Sequence, residues 1–215
     1  MQKNSQLMKG VLFDLDGVLI DSETLYTEFW SNAEKKYPTG VEDFAYVIKG
    51  NNLAKILSTY FPDKEVQADL LRMIDEFERN MQYPIFPGAM ELVNSLNQQN
   101  IPCAIVTSSD ISKMDKLAMQ HPDFLNHFNA MVTGNMVSKS KPDPECFLRG
   151  AEMIGVDIID CVVCEYSPSG ILAGLNSGAK VIAIATTLRR KDINKDAHKI
   201  VDSIADISVD DILSL

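Results

Sequence analysis

Histidine and tryptophan are nearly missing from this sequence, with three of the first and one of the second in 215 residues. Cysteine is scarce, with four, and bases are outnumbered: 20 Lys plus Arg stand against 30 Asp plus Glu, a net charge of −10. Each shortage removes a class of protein. Cys103, Cys146, Cys161 and Cys164 are too few for a disulfide scaffold, and they read as packed thiols of a reduced, cytoplasmic protein. Cys161 and Cys164 do make a C-x-x-C, but within an apolar run that reads as a strand. Three residues apart there, they face opposite sides, about 10 Å along the chain, which suits neither redox nor zinc chemistry. His121 and His127 find no third zinc ligand. The acid excess is shared equally between residues 21–84 and the rest. It argues against a nucleic-acid partner or an anionic membrane, since both need clustered bases, and Arg189-Arg190-Lys191 is too small a cluster. No stretch approaches the ~20 apolar residues that span a bilayer. The first ten residues lack the apolar segment of a signal peptide, and no G-x-S-x-G, Walker-type loop or internal repeat occurs.

What is present is a set of short apolar runs. Val11-Leu12-Phe13, Ala104-Ile105-Val106, Val162-Val163-Cys164 and Val181 to Ala185 read as strands buried on both faces, with Ala130-Met131-Val132 as a weaker fifth. Helical spacing fills the gaps. It appears at Ala89, Leu92, Val93 and Leu96, then at Phe147, Leu148, Ala151 and Ile154 behind an Asp143 N-cap with Pro144 first in the helix. A third helix opens at Ser167-Pro168 and stops at Gly178. This alternation predicts an α/β fold, a doubly wound parallel sheet. One stretch interrupts it. From Asp21 to about Tyr83 no strand appears, while Leu25, Phe29, Ala33 and Tyr37 keep helical spacing and Pro- and Gly-containing turns punctuate the rest. The expectation is a core of residues 1–20 and 85–215 with an inserted helical domain, 21–84, over the strand ends where open α/β sheets bind ligands.

Chemistry concentrates at Phe13-Asp14-Leu15-Asp16-Gly17. Carboxylates at i and i+2 on an extended chain point the same way, and such a pair is costly unless a cation or a shared proton relieves it. Gly17 frees the backbone to turn away.

The run Asp14-Leu15-Asp16-Gly17-Val18-Leu19-Ile20-Asp21-Ser22-Glu23 resembles the first motif of the haloacid dehalogenase superfamily, in its β-phosphoglucomutase-like branch with a helical cap. The resemblance continues in order through Val106-Thr107-Ser108-Ser109, Ser140-Lys141-Pro142-Asp143-Pro144 and Cys164-Glu165-Tyr166-Ser167-Pro168-Ser169-Gly170. It spans about residues 9 to 185. It implies Asp14 as a nucleophile forming an aspartyl-phosphate and Asp16 as general acid and then base. Thr107 and the Ser108 N–H would bind the phosphoryl oxygens, and Lys141 would neutralise phosphate charge. Magnesium would be the cofactor, held by the Asp14 carboxylate, the backbone carbonyl of Asp16, a phosphate oxygen and Glu165. The resemblance makes 21–84 the cap, with Tyr26, Asn51 and Asn52 as substrate contacts; Trp30 reads as core.

The sequence departs from the family pattern in informative ways. Tyr166 stands where the fourth motif usually has an aspartate that serves the metal, and a neutral phenol is a poor magnesium ligand. Tyr26 replaces the mutase's cap histidine, Leu53 falls near its phosphate-gripping arginine, and Asp110 takes the place of a lysine. These losses favour hydrolysis over mutase chemistry, and Asp16 argues against halide displacement. The expected activity is a magnesium-dependent phosphatase acting on a small phosphorylated, sugar-type metabolite. The alternatives are a β-phosphoglucomutase-like isomerase, or a metal-impaired protein that binds a phosphorylated ligand without turnover.

Overall fold

The computed structural model describes residues 9–48, 53–187, 190, 193 and 195–215. Six strands form one sheet: β1 (Gly10–Phe13), β2 (Cys103–Val106), β3 (Ala130–Val132), β4 (Cys161–Glu165), β5 (Lys180–Ile184) and β6 (Lys199–Val201). They lie in the order β3-β2-β1-β4-β5-β6, and every ladder is parallel. β1, β2 and β4 are buried at every residue. Leu12, Ala104, Val106 and Val163 face one side and pack with Phe147 and Ile171. Phe13 points to the other face, where it meets Phe128 edge-on at 6.3 Å. A strand covered on both faces has no polar side to show, which is why these runs read as unbroken apolar segments.

The connecting helices are α5 (Ala89–Gln98), α6 (Ile111–Gln120), α7 (Glu145–Ile154), α8 (Pro168–Ser177) and α9 (Val209–Ser214). α8 begins as expected, with Ser167 Oγ accepting from Gly170 N at 3.0 Å, and its stop, Gly178, has φ +89°. α7 starts one residue later than predicted. Pro144 occupies the N-cap position, and Asp143 Oδ1 accepts from Glu145 N at 3.1 Å. β6 has no counterpart among the predicted strands: it is three residues at the sheet edge, with Lys199 and Ile200 only half-buried, so no apolar run announces it.

The chain steps from β1 outward to β2 and β3, then returns to β4 on the opposite side of β1. That reversal parts the loops leaving β1 and β4 and opens the crevice at the carboxyl ends of the strands.

The chain divides into two compact units, one running through Asp21 and resuming at Pro84, the other Ser22–Tyr83. The second holds α1 (Ser22–Lys36), α2 (Phe44–Val47), α3 (Leu53–Tyr60) and α4 (Lys64–Asn80), and no strand among its described residues. Its core gathers Phe29, Trp30, Ala33, Phe44, Phe61, Leu70 and Ile74. Trp30 is buried there, stacked near-parallel on Phe61 at 6.4 Å and edge-on to Phe44 at 6.1 Å. Asp63 caps α4 by accepting from Glu65 N at 2.8 Å. Among the described residues no helix is long and apolar enough to cross a membrane.

Candidate active site

Where β1 ends, Asp14 donates its N–H to the Cys164 carbonyl at 3.0 Å, which locks the start of the loop beside β4. Leu15 turns fully inward, so Asp14 and Asp16 flank a buried apolar residue. The Gly17 N–H then closes the turn on the Ile20 carbonyl at 2.9 Å. Gly17 has φ +70°, and a Cβ there would sit 2.8 Å from the Tyr166 ring. Glycine is therefore required twice over, by conformation and by the ring packed against it.

Three of the predicted site residues meet directly. Lys141 reaches in from the loop before α7, and its ammonium donates to Asp14 Oδ1 (2.8 Å), Glu165 Oε1 (2.8 Å) and the Val106 carbonyl (3.2 Å). The Asp14 and Lys141 side chains are 7% and 6% exposed and Glu165 is wholly buried, so this pairing is shielded from solvent. Burial pushes the Asp14 carboxyl up to about 8, with Lys141 opposing and the Glu165 and Asp16 carboxylates adding to the rise. Burial works against the Lys141 charge too, but Asp14 and Glu165 outweigh it and hold the ammonium above its ordinary range.

Glu165 is the last residue of β4, and its side chain folds back under the start of α8. Its Oε2 accepts from Tyr166 N (2.7 Å), Ser167 N (2.7 Å) and Ser167 Oγ (3.1 Å). A carboxylate among peptide N–H groups at a helix N-terminus is favourably placed. Asp16 is held by a different set: Ser109 Oγ donates to its Oδ2 at 2.8 Å, and Lys113, in the first turn of α6, pairs with its Oδ1. Sequence reasoning missed both partners. Ser109 lies inside a recognised motif but carried no assigned role. Lys113 carries no local signal, because Asp16 lies in a distant part of the chain.

Thr107 and Ser108 follow β2. Thr107 is buried, its N–H bonded to the Val132 carbonyl at 2.9 Å and its Oγ1 accepting from Ser109 N at 2.9 Å. Ser108 is exposed, and its carbonyl lies so close to Gly134 that a Cβ there would approach to 2.4 Å. The loop is thus pinned by the residue behind it. Tyr26 belongs to the helical unit, where its hydroxyl donates to Glu78 Oε1 at 2.8 Å beside a cavity of about 260 Å³ shared with Glu23, Thr27 and Trp30. Asn51 and Asn52 lie outside the described residues.

The magnesium set expected from Asp14, Asp16 and Glu165 does not fit the ion. Magnesium requires near-octahedral oxygen donors, yet Glu165 spends Oε1 on Lys141 and Oε2 on three donors, and Lys141 also holds Asp14 Oδ1. Among the described residues no three His, Cys, Asp or Glu side chains gather as a metal-ligating group. What the site can do is hold two neighbouring carboxylates in different surroundings, one buried against a lysine and one braced at the rim of the crevice.

Comparison with known proteins gives the family from two directions and the fold from a third. Residues 11–184 match the model of the haloacid dehalogenase-like hydrolases. The chain is 32% identical to hexitol phosphatase A of Escherichia coli over 89% of its own length and 91% of that protein's. It is 30% identical to glycerol-1-phosphate phosphohydrolase 1 of Saccharomyces cerevisiae, covering 84% of this chain and 76% of the relative. The crystal structure of a HAD hydrolase, family IA, variant 3, from Entamoeba histolytica superposes with a TM-score of 0.79 over 96% of this chain and 98% of the other; at 24% identity this bears on the fold alone. The chain belongs to the haloacid dehalogenase-like hydrolases.

Proposed function

We propose that the protein is a phosphatase for a small polyol or sugar monophosphate, working through an aspartyl-phosphate on Asp14. The observation that carries the reading is the pair of carboxylates at the switch point, each held by its own lysine. Lys141 grips Oδ1 of Asp14, and once the carboxyl has lost its proton Oδ2 attacks phosphorus as the bond to the leaving oxygen breaks. Asp16, protonated from solvent before the step, gives that oxygen its proton, releasing the alcohol, and then takes a proton from the water that attacks the aspartyl-phosphate, freeing inorganic phosphate and Asp14. Lys141 sets a positive charge beside the reacting carboxylate, and the turn after β2 offers the Thr107 hydroxyl and the Ser108 N–H to the phosphoryl oxygens. Ser109 and Lys113 fix the Asp16 carboxylate in orientation, which suits the water-activating step and hence hydrolysis over mutase chemistry. Unit Ser22–Tyr83 is the cap in this reading, and Tyr26 contributes to substrate choice from its cavity.

The two relatives described above are named for a hexitol and a glycerol phosphate, and both are polyol monophosphates. That supports the substrate class. The test is release of phosphate from p-nitrophenyl phosphate and from a panel of polyol and sugar phosphates. Asp14→Asn is expected to lower the rate by about 10³-fold or more. Activity that survives this substitution overturns the mechanism.

A further inference from the structure

Position 166 and position 113 change the charge of the site in the same direction. The family pattern calls for an acid at 166, and this chain has Tyr166, whose ring lies against Gly17; that removes one negative charge. Lys113 reaches from α6 onto Asp16 and sets a positive charge beside that carboxylate. The site thus has one acid fewer than the family pattern and a lysine paired with each of its aspartates. The oxygen donors shift with them. Glu165 is saturated by Lys141, two peptide N–H groups and the Ser167 hydroxyl, and the Asp16 carboxylate is taken by Lys113 and Ser109.

We propose that this chain has exchanged a divalent-cation site for a lysine-neutralised one: the resting site takes up no magnesium, and an oxyanion enters without it. Lys113 is the positioning residue of that exchange. It holds Asp16 in place and supplies charge from a side chain where an ion otherwise does so. Exchanging an ion for a tethered ammonium also replaces a shell of six directed oxygens by a single point charge, so the two solutions exclude each other sterically. Glu165 can offer an oxygen to magnesium only if Lys141 or the donors at the start of α8 release it.

The proposal concerns the same pocket as the phosphatase reading but does not depend on turnover, so calorimetry decides it. Titrating magnesium chloride into the wild-type protein is expected to give no saturable heat up to about 10 mM. Tyr166→Asp restores an acidic ligand and is expected to bind at least about tenfold tighter than wild type, with Lys113→Met showing a smaller gain. Lys113→Arg keeps the cation and behaves as wild type. Inorganic phosphate is expected to bind with the same affinity, within about twofold, in EDTA and in magnesium. Saturation of the wild type below about 1 mM magnesium overturns the proposal, and so does phosphate binding that vanishes in EDTA. Should Tyr166→Asp fail to fold, the wild-type and Lys113→Met titrations still separate the two outcomes. Absence of phosphate-ester hydrolysis in both buffers would overturn the phosphatase reading alone.

Discussion

Glu165 lies where it does because residue 170 has no side chain. A Cβ at Gly170 would come within 1.7 Å of Glu165 Oε1 and 2.0 Å of its carboxyl carbon. The atoms in the way belong to a buried carboxylate already bonded to Lys141, two peptide N–H groups and the Ser167 hydroxyl, so nothing flexible can yield. Gly170→Ala is expected to cost about 1–3 kcal/mol from overpacking, and more if Glu165 loses its N–H donors. Gly155 is the control, because it has φ +71° but open space around its missing Cβ. Gly155→Ala carries backbone strain alone, about 1 kcal/mol. Urea denaturation of the two variants checks the order. An equal loss at both positions would show that the Glu165 pocket is not tight.

At the scale of elements, the last helix is tied to the last strand. Ser208 and Asp211 form a capping box at the start of α9, and Asp211 also pairs with Lys199 on β6. Lys199 first, and then the Ser208 N–H and hydroxyl, hold the Asp211 carboxyl down at about 2. Its proton is therefore bound more readily by the unfolded chain, and the stability it contributes is full above about pH 4 and lost as pH falls toward 2. Asp211→Asn should lower the melting temperature at pH 7, by the ~1 kcal/mol of a lost cap. The gap to wild type should close by about pH 2, as thermal scans across that range would show. A gap that persists at pH 2 contradicts the assignment. This pairing also marks the limit of what the sequence discloses. β1, β2, β4 and β5 were legible because burial on both faces leaves an unmixed apolar run, and α8 because a Ser-Pro start and a Gly stop act within a few residues. β6 and the Lys113–Asp16 pair were not, since each depends on partners brought close only by the finished sheet. Asp14, Lys141 and Glu165 were found through motif resemblance, but their bonding to one another became visible only in three dimensions.

For the molecule as a whole, all four cysteines are free and buried. Burial pushes Cys103 up to about 12 and does the same for Cys161, where Asp160 and Asp157 add to it; Cys164 is driven higher still. A thiol that stays protonated and covered is neither nucleophile nor metal ligand. Native protein at pH 8 is expected to react with none of its four cysteines toward a disulfide reagent, and with all four in guanidinium. Fast labelling of Cys161 and Cys164 in the native protein would contradict the packed-strand reading of the C-x-x-C. The central place of β1 has a further consequence, for the order in which the molecule can be made. Among the described strands it leaves the ribosome first, yet its two neighbours are Cys103–Val106, beyond the whole helical unit, and Cys161–Glu165, later still. Ser22–Tyr83 has its own aromatic core and can condense early, whereas Asp14 waits unsupported until translation has passed Glu165. Nascent chains halted before that point carry Asp14 but neither the carboxylate nor the strand that seats it.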